Sequence, residues 1–269
     1  MTDVVTSHSI AAGYSEAAPD YDAAVHYNLE GARRLVAALP DRGYRRVLDV
    51  GCGTGAGSLA MANRFPSVRE ITGVDPSAGM LDGFRARLDP LGDVRVSLVE
   101  AGVDDMAVAD DAFDAAIMTM SFHWFPRKSE ATRRIARALA PDGIVAAVLP
   151  GRGVDEEFRR LLAEVEPPNM AFLGSFQAAP RSLHQMEGYL EGAGLEVLDL
   201  WTERRLRRST VDAYLERMRV VAGHLGRAMA PDALERNLTA LRARMEDAAG
   251  PRGFEYEFCK LFVIARRPG

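Results

Sequence analysis

An α/β fold, with a largely parallel sheet covered by helices on both faces, is predicted by three observations. Short apolar runs alternate with helical stretches across Arg45–Pro150. Several of those runs are continuously apolar, as in strands buried on both faces. The chain of 269 residues is 48% hydrophobic and 26% charged, which is ordinary globular composition with enough length for a sizeable core.

The elements follow in order. Glu16–Leu39 reads as a helix with Ala and Leu on a recurring face, closed by Pro40. Arg45–Val50 is an apolar strand with Asp49 inside it, followed at once by Gly51-Cys52-Gly53-Thr54-Gly55 and a helix over Ala56–Arg64. Ile71–Val74 is a second strand ended by Asp75-Pro76, and Ser77 caps a helix through Leu88. Val94–Val99 and Ala115–Met120 supply strands three and four. Glu130–Leu139 is helical, Pro141-Asp142-Gly143 stops it, and Ile144–Leu149 is strand five. Beyond Pro150 the rhythm changes. Leu183–Ala193 is helical, Leu195–Leu200 a strand, and Phe254–Ala265 a final strand; Val211–Leu225 and Leu234–Met245 carry helical apolar stripes between them. No repeat or low-complexity linker divides the chain, so one domain with helical elaborations is expected rather than two units.

Charge and cysteine usage exclude several classes. The net charge of −5 and a pI near 5.6 give no basic field for nucleic acid or an anionic membrane. Cys52 and Cys259 form no disulfide framework and no zinc spacing, which fits a reducing, cytoplasmic setting. Met1–Ala12 lacks a secretory pattern, and no apolar run approaches the roughly 20 residues of a membrane span. No histidine has metal-ligand spacing.

A glycine-rich turn between strand and helix lets a ligand approach the backbone at a helix N-terminus. Gly51, Gly53 and Ala56 also satisfy the nicotinamide and flavin pattern, which leaves that alternative open. Two acids tilt the reading. Asp49 lies inside the strand before the turn, where a carboxylate suits a ligand ammonium better than a pyrophosphate. Asp75 ends the next strand, placed to accept from ribose hydroxyls. An ammonium and a ribose together describe an amino-acid nucleoside.

With these residues, Val47–Gly55 resembles motif I of class I S-adenosylmethionine-dependent methyltransferases. Ile71–Ser77 with Met80-Leu81 resembles their second motif, and Asp110–Asp114 and Leu139–Gly143 the motifs before the fourth and fifth strands. The resemblance implies a Rossmann-like seven-stranded sheet, mostly parallel with the last strand antiparallel, in three parts: an N-terminal helical cap (1–44), a cofactor core (45–150), and a lid with helical insertions and the last two strands (151–269). It implies S-adenosyl-L-methionine held by Asp49, Gly51, Cys52, Gly53, Gly55, Asp75, Pro76, Met80 and Met118. The family's Gly-Asp-Ala-Glu after strand three is missing; without a gap Gly102 takes the adenine-binding position, and a shorter loop gives it to Asp104, with the Val103 or Asp105 amide assisting. Ile10–Asp22 resembles the start of many small-molecule methyltransferases and of the malonyl-carrier-protein enzyme. That likeness puts Tyr14 or Tyr21 over the methionine end, against the plainer reading that they pin the first helix.

The acceptor is the less determined half. A phenol, alcohol or carbon acid needs a base, whereas a carboxylate is already ionised at neutral pH. His123-Trp124, at the carboxyl end of strand four, resembles a pair found in several carboxyl methyltransferases, and an indole donor beside an imidazole suits one acidic group in an apolar pocket. The favoured reaction is therefore carboxylate O-methylation of a small metabolite. A hydroxyl, N- or C-methyltransferase with His123 or His184 as base is an alternative, as is a cofactor-binding scaffold or rearrangement catalyst. Phe172 and Phe176 lie in an apolar insert that would serve as a lid over the acceptor. Arg204, Arg205, Arg207 and Arg208 read as a solvated face, or as a docking surface for a carrier protein bearing the acyl group.

Overall fold

The computed structural model of the chain describes residues 7–165, 180, 182–226 and 231–269. Seven strands form one sheet in the order β3-β2-β1-β4-β5-β7-β6: β1 Arg46–Val50, β2 Glu70–Asp75, β3 Arg95–Glu100, β4 Phe113–Thr119, β5 Leu139–Pro150, β6 Glu196–Ser209 and β7 Phe254–Arg266. The first five are parallel, and β7 runs antiparallel to both β5 and β6. The expected Rossmann-like sheet with an antiparallel last strand is what the chain forms.

Side chains alternate across the central strands. Ile144, Ala146 and Val148 of β5 face one cluster, together with α2 (His26–Ala37), α3 (Ala56–Arg64) and α4 (Ala78–Arg85). Val145, Ala147 and Leu149 face the other, with α5 (Lys128–Ala138) and α7 (Leu183–Glu191). Leu35, Ile71 and Phe84 in the first cluster and Leu48 in the second are fully buried, each stabilising the fold by about 1.5–3 kcal/mol. A separate cluster joins α6 (Glu156–Val165), α8 (Val211–Gly226) and α9 (Pro231–Ala248) to the start of β7 through Phe158, Tyr214, Met245 and Phe254. Among the described residues, no helix is long and apolar enough to cross a membrane.

Three element readings are corrected. The single helix expected over Glu16–Leu39 is two, α1 (Ser7–Ala24) and α2, broken at Val25, whose φ of −125° and ψ of 33° are not helical. Pro141-Asp142-Gly143 does not separate helix from strand. It bulges inside β5, because Phe113 pairs with Leu139 but Ala115 with Ile144, and Asp142 takes a left-handed φ of 61°. Strand β6 runs on to Ser209, well beyond Leu200. Each arginine of the run meets a carboxylate: Arg204 meets Glu257, Arg208 meets Glu255, and both Arg205 and Arg207 meet Glu30. A long β6–β7 ribbon carries cross-strand charge pairs that the apolar pattern alone does not reveal.

Candidate functional site

Strand order reverses between β1 and β4, and in an open α/β sheet the crevice at that switch point is where ligands bind. The carboxyl ends of β1, β2 and β4 form the floor of a cavity of about 210 Å³. Gly51 starts the turn at a φ of 69°, a conformation that favours glycine, and a Cβ there would collide with Ser121 after β4. Ser121 Oγ in turn donates to the Val50 carbonyl at 2.6 Å. The two strand ends are thereby stitched together, and Met120 beside them is held at a left-handed φ of 57° that non-glycine residues seldom adopt.

Asp75 lies in this floor. Its Oδ2 accepts from the Gly53 amide and its Oδ1 from the Ser77 amide, each at 2.9 Å. Burial pushes the carboxyl up to about 6 against the pull of those two bonds. Each oxygen retains acceptor capacity for a further donor, which fits a vicinal diol. Ser77 caps α4 through the Met80 amide as expected, and Met80 forms part of the wall.

Asp49 is placed differently from expectation. Its carboxylate is turned beneath the loop onto α3, where Oδ2 accepts from the Ser58 amide and hydroxyl at 3.0 and 2.7 Å. It is not in the cavity wall. Its Oδ1 is buried without a hydrogen-bond partner among the described residues. Burial raises the acid to about 7, so a cation arriving above the loop would favour its ionised form.

The roof comes from the N-terminus. Helix α1 crosses the cavity and touches α4, where a Cβ on Gly79 would strike the Ser15 backbone, and Ser15 Oγ lies 2.8 Å from Ser77 Oγ. Asp22 ties α1 to the floor by accepting from Thr54 Oγ1 at 2.7 Å and from Arg87 at 2.6 Å. Tyr14 and Tyr21 meet edge to face at 5.8 Å, and Tyr14 meets Trp124 at 6.1 Å. Burial drives both phenols well above their ordinary range, so they act as neutral hydrogen-bonding groups. Trp124, expected to donate to an acceptor carboxylate, instead hydrogen-bonds the Tyr14 oxygen.

The cavity thus gathers Tyr14, Tyr21, Gly51, Cys52, Gly53, Asp75, Pro76, Met80, Val103 and Trp124. Other predicted residues fall outside its wall. Gly55 packs against Phe84, and Met118 points into the core because alternation in β4 leaves Thr119 to face the cavity. Asp104 pairs with Arg127 at 3.5 Å while Gly102 and Val103 line the wall. His123 is buried behind Trp124; burial and the neighbouring Lys128 charge push its imidazole down to about 3, and its Nδ1 has no partner among the described residues. His184 is 94% exposed beside Glu187, away from the cavity. Phe172 and Phe176 lie outside the described residues. Sequence reasoning missed Asp22, His26, Asn28 and Arg87. Asp22 adjoins a tyrosine already singled out; the other three carry no local signal.

Among the described residues, no group of His, Cys, Asp and Glu is arranged to hold a metal. A family model for a methyltransferase domain matches residues 47–143. The chain is 33% identical over 159 residues to a malonyl-[acyl-carrier protein] O-methyltransferase of Geobacter sulfurreducens, covering 58% of each protein. It is 28% identical over 268 residues to a trans-aconitate 2-methyltransferase of Methylobacterium nodulans, covering 92% of this chain and 98% of that one. These matches support a class I S-adenosylmethionine-dependent methyltransferase. Its fold is shared by a solved phosphoethanolamine N-methyltransferase 2 of Haemonchus contortus with bound S-adenosylhomocysteine (TM-score 0.55, 20% identity, 91% of this chain and 53% of that one). The YcgJ protein of Bacillus subtilis is another such neighbour (TM-score 0.59, 20% identity, 91% and 99%). S-adenosylmethionine is the cofactor of this family, and the residues present fit it. Asp75 matches a ribose diol, and the unpartnered Asp49 Oδ1 lies beneath the loop that a cationic ligand would cover.

Proposed function

We propose that this chain methylates a carboxylate of a small, partly apolar metabolite, using S-adenosylmethionine and releasing an O-methyl ester. One observation carries the reading: the inner wall holds neutral phenols and an indole, and the histidine predicted as a base is shut out of it. A hydroxyl or carbon acid must lose a proton to become a competent nucleophile, and so must an ammonium, whereas a carboxylate is ionised already. When bound, the cofactor supplies a methyl group on a cationic sulfur. The work left to the chain is alignment and exclusion of water. Asp75 takes the ribose hydroxyls, Met80 and Val103 flank the adenine, and α1 covers the site. Tyr14, supported by Trp124, orients the acceptor.

The two relatives named above support this, since malonyl and trans-aconitate both denote carboxylic acids. They differ in whether the acid is free or carried on a protein. The helix α1 across the cavity favours a free small molecule, in a cytoplasmic enzyme of one domain. A second reading rests on His26, an exposed histidine at the cavity rim that would serve as base for another acceptor. The test is product analysis by mass spectrometry with free di- and tricarboxylic acids and with a malonylated carrier protein. At saturating cofactor, methyl ester formed at a rate independent of pH above the acceptor's own pKa, and retained in His26→Ala, is the expected result. A rate that follows a histidine titration and collapses in His26→Ala would replace the carboxylate by a protonated nucleophile.

A further inference from the structure

A second, smaller cavity of about 20 Å³ lies between α2 and the β6–β7 ribbon. Among the described residues it shares no wall with the cavity at the switch point. Its charged lining comes from three elements: Glu30 and Arg34 of α2, Glu203, Arg205 and Arg207 of β6, and Lys260 of β7. These charges do not balance. Arg205 and Arg207 share Glu30, and Arg34 Nε donates to Glu203 at 2.7 Å, so three guanidiniums occupy both carboxylates. Lys260 meets no carboxylate among the described residues. Four cations against two acids leave a surplus of two positive charges.

The surplus coincides with unmet donors. Lys260 is buried, and its Nζ gives one hydrogen to the Tyr27 carbonyl at 2.5 Å. An ammonium carries three, so two are left over. Arg207 Nε is also buried and has no hydrogen-bond partner among the described residues. Burial pushes the Lys260 ammonium down to about 8, the expected penalty for a cation held out of water. The chain nevertheless makes room for it. A Cβ on Gly31 would lie 2.5 Å from Lys260 Nζ, so a glycine in the middle of α2 is what admits the ammonium.

Three occupants differ in what they answer. A space of this size holds one water-sized atom, but water neutralises no charge. A halide fits the space and cancels one charge. A tetrahedral dianion cancels both, and it can seat one oxygen in the cavity while the rest lie at the rim. There Arg34 and Arg205 are half-exposed, and planar guanidinium forks match oxyanion geometry.

We propose that this cavity binds a phosphate or sulfate group, with one oxygen on Lys260 Nζ and Arg207 Nε and the others on Arg34 and Arg205. Through Lys260 the anion steadies the Tyr27 carbonyl, between His26 and Asn28 of the larger cavity's wall.

The test is calorimetric titration of the full chain with sulfate, whose charge is constant over the pH range used. Saturable binding is expected at neutral pH, with chloride at equal ionic strength about tenfold weaker or more. Lys260→Met and Gly31→Ala should each weaken sulfate about tenfold or more. Gly31→Ala keeps every charge and favours a helix, so it decides the matter if Lys260→Met does not fold. Glu30→Gln frees two guanidiniums from a competing carboxylate and should tighten sulfate several-fold. Around Lys260 the carboxylates of Glu30 and Glu203 and the guanidiniums of Arg34, Arg205 and Arg207 stay charged, and burial keeps the Tyr27 phenol neutral. Sulfate affinity should therefore fall about tenfold from pH 7 to about 9.5 in wild type, as Lys260 loses its proton, and stay level in Lys260→Met. Inorganic phosphate and glycerol 3-phosphate distinguish the sources. Equal affinities mark a phosphate ester as the occupant, and a weaker ester marks the free ion. Absence of saturable sulfate binding overturns the proposal and leaves the cavity to water. Chloride binding as tightly as sulfate, or wild-type affinity in both Lys260→Met and Gly31→Ala, overturns it as well.

Discussion

The floor and the roof of the cavity are built from different chemistry. The floor is made of strand ends and a glycine turn, and it holds two carboxyls whose ionised forms are disfavoured by burial, Asp49 at about 7 and Asp75 at about 6. The roof is made of α1 and the start of α2, and it presents phenols and an amide that stay neutral, met by the Trp124 indole from the turn after β4. In the proposed function, a cationic ligand would be drawn toward the floor by charge, favouring the ionised carboxyls, and oriented from the roof by hydrogen bonds.

The sharpest way to break this contrast is Asp75→Ala. It removes the acceptor for two hydroxyls and frees the Gly53 and Ser77 amides, so cofactor affinity measured by calorimetry should fall by about 100-fold or more. Unchanged affinity would take the ribose out of the floor.

Next in size is the effect of pH. Both floor carboxyls have raised folded-state values, so their contribution to stability is present in acid and lost as pH rises through about 6 and 7. Ligand binding, which favours the ionised forms, has the opposite sign: cofactor affinity should fall as pH drops from 8 to about 5.5. Asp49→Asn tests both signs together. At pH 8 it should melt higher than wild type, by roughly 2–4 °C per kcal/mol gained, and bind cofactor more weakly. A lower melting temperature at that pH would show that the Ser58 bonds outweigh the burial of charge.

The roof is probed by Asp22→Ala, the smallest expected change. Losing the bonds to Thr54 and Arg87 should raise the cofactor Kd by about three- to tenfold and speed amide exchange in α1, with the melting temperature of the sheet little altered. Exchange in α1 equal to wild type would mean that the contact with α4 at Gly79 holds the roof unaided.

Legibility in the sequence divides along the same line. The places of Asp75, Gly51, Gly53, Met80 and the Ser77 cap in the cavity were readable because a strand, its turn and the next helix are contiguous, and each position follows from neighbours a few residues away. The break at Val25, the bulge at Pro141–Gly143 and the length of β6 were not. Each depends on a partner element far along the chain, such as the β7 carboxylates that accompany the arginines of β6. Trp124 shows the same limit. Its place near the cavity was inferred, but its hydrogen bond to Tyr14 could not be, because α1 had to be folded over it first.

The sequence by itself determined the sheet, its switch point, the glycine turn and the acid at the end of β2, since hydrophobic periodicity and turn chemistry act over a few residues. Only the tertiary structure decided which side chains face the cavity. Burial turned His123 from a candidate base into a neutral residue outside the wall, and set Asp49 beneath the turn. It also brought Asn28 beside Tyr21 with its oxygen unpaired among the described residues. Desolvation and unmet hydrogen bonds are properties of an assembled interior, and they arise only when segments distant in the chain exclude water together.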